Sequence, residues 1–243
     1  MQAESVGVTQ VQSVSLTLRS AEDQVYENLR NQIVHGLAPM SPLRLDRIAA
    51  ALGVSTMPVR VALHRLEAEG LVSTMPRRGS RVAPLKVEDI EEIQRMRCAI
   101  EGLAAETGAP RVGPDGLAEM HSRLELLKEA IKNRDIDGYV EHLRAFQIVC
   151  YSACKWPRLL RQIDDLRRSA ERYLRIAVAG GWDAVGTAQF WDRFYDAVAQ
   201  HDGAAAKSAV TEALDWTLDF IYGYLENPAP KSGPETVSEG TGN

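Results

Sequence analysis

Residues 44–82 read RLDRIAAALGVSTMPVRVALHRLEAEGLVSTMPRRGSRV, and their spacing decides the fold. Leu45, Ile48, Ala49 and Leu52 recur at helical period, so residues 45–52 predict a short helix with one apolar stripe. Gly53 follows where a helix that must stop wants a left-handed residue. Ser55 is placed as an N-cap, its hydroxyl expected to accept from a backbone N–H one turn on. Pro58 falls in the first turn, where its missing N–H has no partner to lose. Val59, Ala62, Leu63 and Leu66 predict the buried face of a second helix, leaving Thr56, Met57, Arg60, His64 and Glu67 on the outer side. Gly70 ends that helix. Residues 71–74 and 80–83 are expected to pair as strands around a turn at 76–79. Helix, turn, helix and a hairpin with a basic tip make a winged helix-turn-helix, which lays its second helix in the DNA major groove.

Charge agrees with that shape. Between residues 41 and 81 stand seven arginines (44, 47, 60, 65, 77, 78 and 81) against Asp46, Glu67 and Glu69, a net charge of +4. The whole chain carries −5, so the remainder carries −9. A basic island in an acidic protein is the expected footprint of a phosphate-binding face.

The 243 residues can hold one large or two ordinary domains, and a hydrophobic content of 45% is enough to build cores. There is no run of 18 apolar residues, so no membrane span is expected. The first residues, MQAESVGVTQVQSV, lack the basic and apolar regions of a secretory signal. Cys98, Cys150 and Cys154 are odd in number and contain no Cys-x-x-Cys spacing, which argues against a disulfide framework or zinc finger. A cytoplasmic location is the expectation.

Outward from the winged motif, residues 1–15 are polar and expected to be disordered. A helix is predicted over 18–35 on Val25, Tyr26, Leu29 and Ile33. With it, the DNA-binding domain spans 16–83, and 84–86 form a linker. From residue 87 on no strand is expected. Ile90, Ile93, Met96, Arg97, Ile100 and Leu103 fall at three- and four-residue steps. Further helices are predicted over 114–134, 136–154, 158–178, 184–200 and 204–225, with Gly180 and Gly181 as an interruption. The fold class is therefore mainly α: a winged helix-turn-helix and, over 87–226, an antiparallel bundle of six or seven helices. Residues 227–243, rich in proline, glycine and serine, read as a disordered tail.

These residues resemble a known family. LGVSTMPVRVALHRLEAEGLV with PRRGSRV is similar to the DNA-binding domain of the GntR family of bacterial transcription regulators. IQRMRCAIEGLAA at 93–105, YVEHLRAFQ at 139–147 and FYDAVAQHDGAAA at 194–206 resemble the all-helical effector-binding domain, the FCD domain, of its FadR-like subfamily. The resemblance runs over residues 21–225. It implies a homodimer that binds a pseudo-palindromic double-stranded operator, as a repressor of a nearby metabolic operon, and answers to a small-molecule effector. It also implies that DNA is touched by Arg44, Ser55, Thr56, Met57, Arg60, Arg78 and Gly79. Many members carry arginine at the position of Thr56, which cannot make the bidentate guanine contact.

Relatives of this kind often hold a divalent metal through an aspartate and three histidines. The matching positions here are Leu143, Gln147, Trp191 and Ala213, none a good metal ligand. No metal and no cofactor is therefore expected. Leu143 and Trp191 would make the effector pocket wall apolar, Gln147 would orient a polar group, and Arg97 would meet an anionic end. Arg97 could equally be spent on an ion pair with Glu101, one turn away. Arg144, Tyr151, Arg175 and Tyr195 are further candidates for the lining. An enzyme built on the bundle finds no support: there is no Ser/His/Asp set, no phosphate loop and no facing pair of carboxylates. A third possibility is a DNA-binding dimer that has lost ligand control.

Overall fold

The computed structural model describes residues 20–75, 79–179 and 184–226. The chain opens with α1 (Ala21–His35). Ser20 caps it, its hydroxyl accepting from the Asp23 N–H at 3.1 Å, so the helix starts three residues later than its apolar pattern suggests. A two-residue strand follows, β1 (Pro42–Leu43), then α2 (Leu45–Leu52), α3 (Thr56–Ala68), β2 (Val72–Met75) and β3 (Gly79–Val82). The sheet order is β1-β3-β2, all antiparallel, with Pro42 opposite Arg81 and Val72 opposite Val82. β1 escapes sequence pattern because two residues, one of them proline, carry no periodicity. The hairpin strands sit within one residue of their predicted places.

Val25, Leu29 and Ile33 of α1 pack with Val59, Ala62, Leu63 and Leu66 of α3 and with Val72 and Val82 of the hairpin. One apolar cluster thus fixes the angle between the second helix and the wing. Gly53 ends α2 at φ 66°, ψ 30°, a left-handed conformation that costs a side-chain-bearing residue roughly 1–2 kcal/mol.

Six helices follow among the described residues: α4 (Val87–Gly108), α5 (Pro114–Asn133), α6 (Ile136–Ser152), α7 (Pro157–Ala179), α8 (Ala184–Ala199) and α9 (Gly203–Glu226). A single 3₁₀ turn, Ala109–Arg111, joins α4 to α5. The main core is Met120, Leu124 and Leu127 of α5, Phe146 and Cys150 of α6, Trp191 and Phe194 of α8, and Val210 and Leu214 of α9. Cys150 and Cys154 are both buried and both free thiols. Gly180 and Gly181 lie outside the described residues. No described helix is long and apolar enough to cross a membrane.

The buried stripe of α4 departs from its apolar periodicity. Met96 and Leu103 are 47% and 40% exposed, whereas Gln94 and Glu101 are almost fully buried. The face that α4 turns to the bundle is partly polar, and that polarity borders a candidate site.

Candidate nucleic-acid interface and regulatory cavity

Between α3 and the wing lies a concavity of about 640 Å³, whose walls include Arg44, Arg60, His64, Gly79 and Arg81. α3 supplies Arg60 and His64 on its exposed side because Val59, Ala62, Leu63 and Leu66 hold its other side in the core. Ser55, Thr56 and Met57 stand exposed at the N-terminal end of α3. Met57 is 63% exposed, an apolar side chain suited to a thymine methyl. The Glu67 carboxylate accepts from the Thr74 N–H at 3.1 Å and so ties the wing to the helix. Gly79 has φ 75° with nothing within 4 Å of where a Cβ would stand.

Two predicted details change. Ser55 has N-cap backbone geometry, but its side chain makes no capping hydrogen bond. Pro58 removes an N–H from the turn that the hydroxyl was expected to reach. Arg78 lies outside the described residues. Arg81, which sequence reasoning passed over as a strand residue, belongs to the concavity. Its period-2 placement in β3 beside the basic tip was the available signal.

A second cavity, of about 210 Å³, lies where α4, α6, α7 and α9 meet α1. Arg97, Leu143, Arg144 and Gln147 all reach it, together with Arg167 of α7 and Arg30 of α1. Its inner end is built around Glu101, whose side chain is fully buried. Arg97 Nε meets one Glu101 oxygen at 2.7 Å and Arg167 Nη2 meets the other at 2.6 Å. Arg97 Nη1 also donates to Gln94 Oε1 at 2.7 Å, and Arg167 Nη2 to Gln147 Oε1 at 2.6 Å. The Tyr151 hydroxyl donates to Glu101 at 3.2 Å. Burial pushes the Glu101 carboxyl up, but Arg167 and then Arg97 outweigh it and hold it down at about 2. Tyr151 moves the other way: burial and the Glu101 charge raise its phenol well above 10. Arg97 is therefore spent on Glu101 and also faces the cavity.

Trp191 and Tyr195 do not join this site. Trp191 is 3% exposed and packs inside the main core, so it is no wall of the cavity. A large side chain in place of a metal ligand fills the interior space it faces. Beside it, burial pushes the Tyr139 phenol up to about 12, against the pull of the Trp191 indole. Tyr195 packs its ring 5.6 Å from that of His121. Arg175 pairs instead with Asp137 and Glu171, at 2.5 and 2.9 Å. Arg144 is salt-bridged to Asp164 at 2.5 Å. Sequence reasoning missed Arg167, because α7 is so rich in arginine that periodicity singles none of them out.

The metal positions of similar proteins do not fit a metal in this chain. Leu143 and Gln147 line the cavity, Trp191 and Ala213 are buried in the core, and none offers a carboxylate or imidazole. Among the described residues no three His, Cys, Asp or Glu side chains come together as a cation would need.

The sequence model described as "Bacterial regulatory proteins, gntR family" matches residues 21–82, and that of the FCD domain matches residues 92–215. The HTH-type transcriptional regulator McbR of Escherichia coli K12 is 31% identical over 66% of this chain and 71% of its own. The HTH-type transcriptional repressor RspR of the same organism is 26% identical over 79% of this chain and 84% of its own. The solved structure of E. coli McbR/YncC superposes with a TM-score of 0.73 at 23% identity, over 86% of this chain and all of that one, and so shares the fold. A winged helix-turn-helix with an exposed basic concavity, followed by a six-helix FCD domain, places this chain in the GntR family of bacterial HTH-type transcriptional regulators.

Proposed function

We propose that this chain is a homodimeric repressor that binds a pseudo-palindromic operator through its winged domain and responds, without a metal, to a small organic effector held in its helical domain. The concavity between α3 and the wing supports the DNA reading. It sets Arg44, Arg60 and Arg81 around one groove-sized surface, with Ser55, Thr56 and Met57 exposed at the leading end of α3. Arg60 can fork onto guanine O6 and N7, and Arg44 can meet phosphate. Two such heads related by a two-fold axis read half-sites about one helical turn, or a multiple of it, apart. The regulated genes are expected to lie beside the regulator and to serve metabolism, and the protein is expected to work in the cytoplasm.

Effector control is supported by the cavity at Arg97, Leu143, Arg144 and Gln147. Trp191 and Ala213, buried in the core, favour a second reading in which the helical domain only dimerises. Selection of bound duplexes from random DNA tests the first reading. It should return an inverted repeat, with affinity falling steeply as salt rises. Recovery of no inverted repeat would overturn the dimeric operator reading.

A further inference from the structure

The concavity between α3 and the wing contains an acid. Among the described residues that line it, Arg44, Arg60, His64 and Arg81 are basic and Asp46 alone is acidic. Asp46 stands in the first turn of α2, with its side chain 75% exposed. Its ion-pair partner there is Arg44, whose Nε lies 3.9 Å from Asp46 Oδ1 and whose side chain is 63% exposed. A pair so long and so open to water holds neither group firmly.

An acid in the first turn of a helix is favoured by the helix dipole, but residue 47 would serve that purpose as well as residue 46. Arg47 occupies that place, exposed and outside the wall of the concavity. The chain thus sets an acid inside the basic concavity and a base outside it, the reverse of what phosphate attraction alone selects. A carboxylate brought against a duplex is repelled by the phosphates, and it can only accept hydrogen bonds. In the major groove guanine and thymine show it acceptors, and adenine sets its N7 acceptor beside its amino group. Cytosine presents the N4 amino donor alone.

We infer that Asp46 is a specificity-determining residue: its carboxylate accepts a hydrogen bond from cytosine N4 and fixes a C·G pair at one position of each half-site. The inference rests on the DNA-binding reading above and adds to it a base that the arginines of the concavity do not select. Arg44 and Arg60 supply attraction to phosphate and guanine. Asp46 supplies discrimination, because it lowers affinity wherever its position meets any other base. Specificity built by penalising the wrong partner is a difference of affinities, reached at the expense of overall tightness.

The test selects bound duplexes from random DNA with the full chain as wild type, Asp46→Ala, Asp46→Asn and Arg44→Ala. Wild-type sites should carry cytosine at one fixed position of each half-site, and exchange of that pair should lower affinity about tenfold. Asp46→Ala should bind the original and exchanged sites within about twofold of each other, and should hold random DNA more tightly than the wild type does. Asp46→Asn, whose amide both accepts and donates, should move the enriched base from cytosine toward adenine. Wild-type base preference kept in both Asp46 variants, with only a lowered melting temperature, would reduce Asp46 to a helix-dipole role and overturn the inference. The same loss of preference in Arg44→Ala would show that Asp46 acts by holding Arg44, and direct reading of cytosine would fall. If the wild type enriches no duplex at all, the DNA-binding reading itself fails. Enrichment with no Asp46-dependent cytosine position sinks this inference alone.

Discussion

Glu101 of α4 and Arg167 of α7, 66 residues apart, meet at 2.6 Å with the carboxylate wholly out of solvent. Removing that charge leaves two guanidinium groups facing each other in the interior. Glu101→Gln keeps the shape and should cost about 3–5 kcal/mol at neutral pH, the usual penalty for breaking a buried pair from one side. The penalty depends on pH in a defined sense. The carboxyl is held down at about 2 from an ordinary 4.5, so its stabilisation is complete above 4.5. It is lost as pH falls from there toward 2. Wild type and Glu101→Gln should therefore differ most near neutrality and converge in acid. Urea titrations of both proteins from pH 7 to pH 3 check this, and a gap independent of pH would contradict it.

Arg60 is exposed on α3 with its Val59 neighbour fully buried, which fixes the direction of its side chain. Arg60→Ala should weaken binding to a selected duplex by about 1–3 kcal/mol while hardly changing binding to random DNA. Arg44→Ala, at the position proposed to meet phosphate, should weaken both about equally and reduce the salt slope by about one. Anisotropy titrations at several salt concentrations separate the two. Equal losses on both DNAs for Arg60→Ala would make it a phosphate contact only.

The DNA-binding half was largely legible in sequence, and the cavity only partly. Val59, Ala62, Leu63 and Leu66 repeat cleanly because the core behind α3 is wholly apolar, so the exposed side, Arg60 included, follows by subtraction. On α4 the rule fails. Ile90 is buried as its pattern predicts, but Gln94 and Glu101 complete the bundle-facing stripe while Met96 and Leu103 stand exposed, so apolar periodicity places only part of that face. Arg97 was identifiable only with both its roles open, ion pair and anion site, and it takes the first while also lining the cavity. Trp191 was expected in the wall of the cavity and lies in the main core instead. Whether a large aromatic lines a cavity or fills one depends on neighbours far away in sequence, such as Tyr139 of α6.

Gly108 reverses a common rule. Replacing glycine by alanine within a helix ordinarily gains about 1 kcal/mol. Here a Cβ would run into the backbone carbonyl of Cys150 on α6, and backbone cannot swing aside as a side chain can. Gly108→Ala should therefore destabilise the helical domain by about 1–3 kcal/mol, through forced separation of α4 and α6. Gly102 serves as the control, because an added Cβ there meets only the Lys207 and Thr211 side chains at 3.2 Å. Thermal unfolding of the two alanine variants should rank Gly108→Ala well below Gly102→Ala. The reverse order would mean that the α4–α6 approach is looser than described.

Arg172 gives a prediction of the opposite sign. It is 2% exposed, and its Nη1 donates to the Ala83 carbonyl at 2.6 Å, where the wing ends and the helical domain begins. Its Nε and Nη2 are buried, and among the described residues neither has a hydrogen-bond partner. Burial accordingly shifts its acidity in the direction of the neutral form, yet arginine keeps its proton in proteins. The chain therefore holds a desolvated charge with one acceptor, a net cost to folding. Arg172→Met keeps much of the length and apolar stem and removes the charge. It should leave global stability unchanged or raise it, by up to about 2 kcal/mol. It should also release the Ala83 carbonyl, so that the winged half moves more freely against the helical half. Hydrogen exchange should show the second effect as faster exchange over residues 83–86, with protection in α5 and α6 unchanged. A large loss of global stability in Arg172→Met would mean that the guanidinium is fully satisfied in solution.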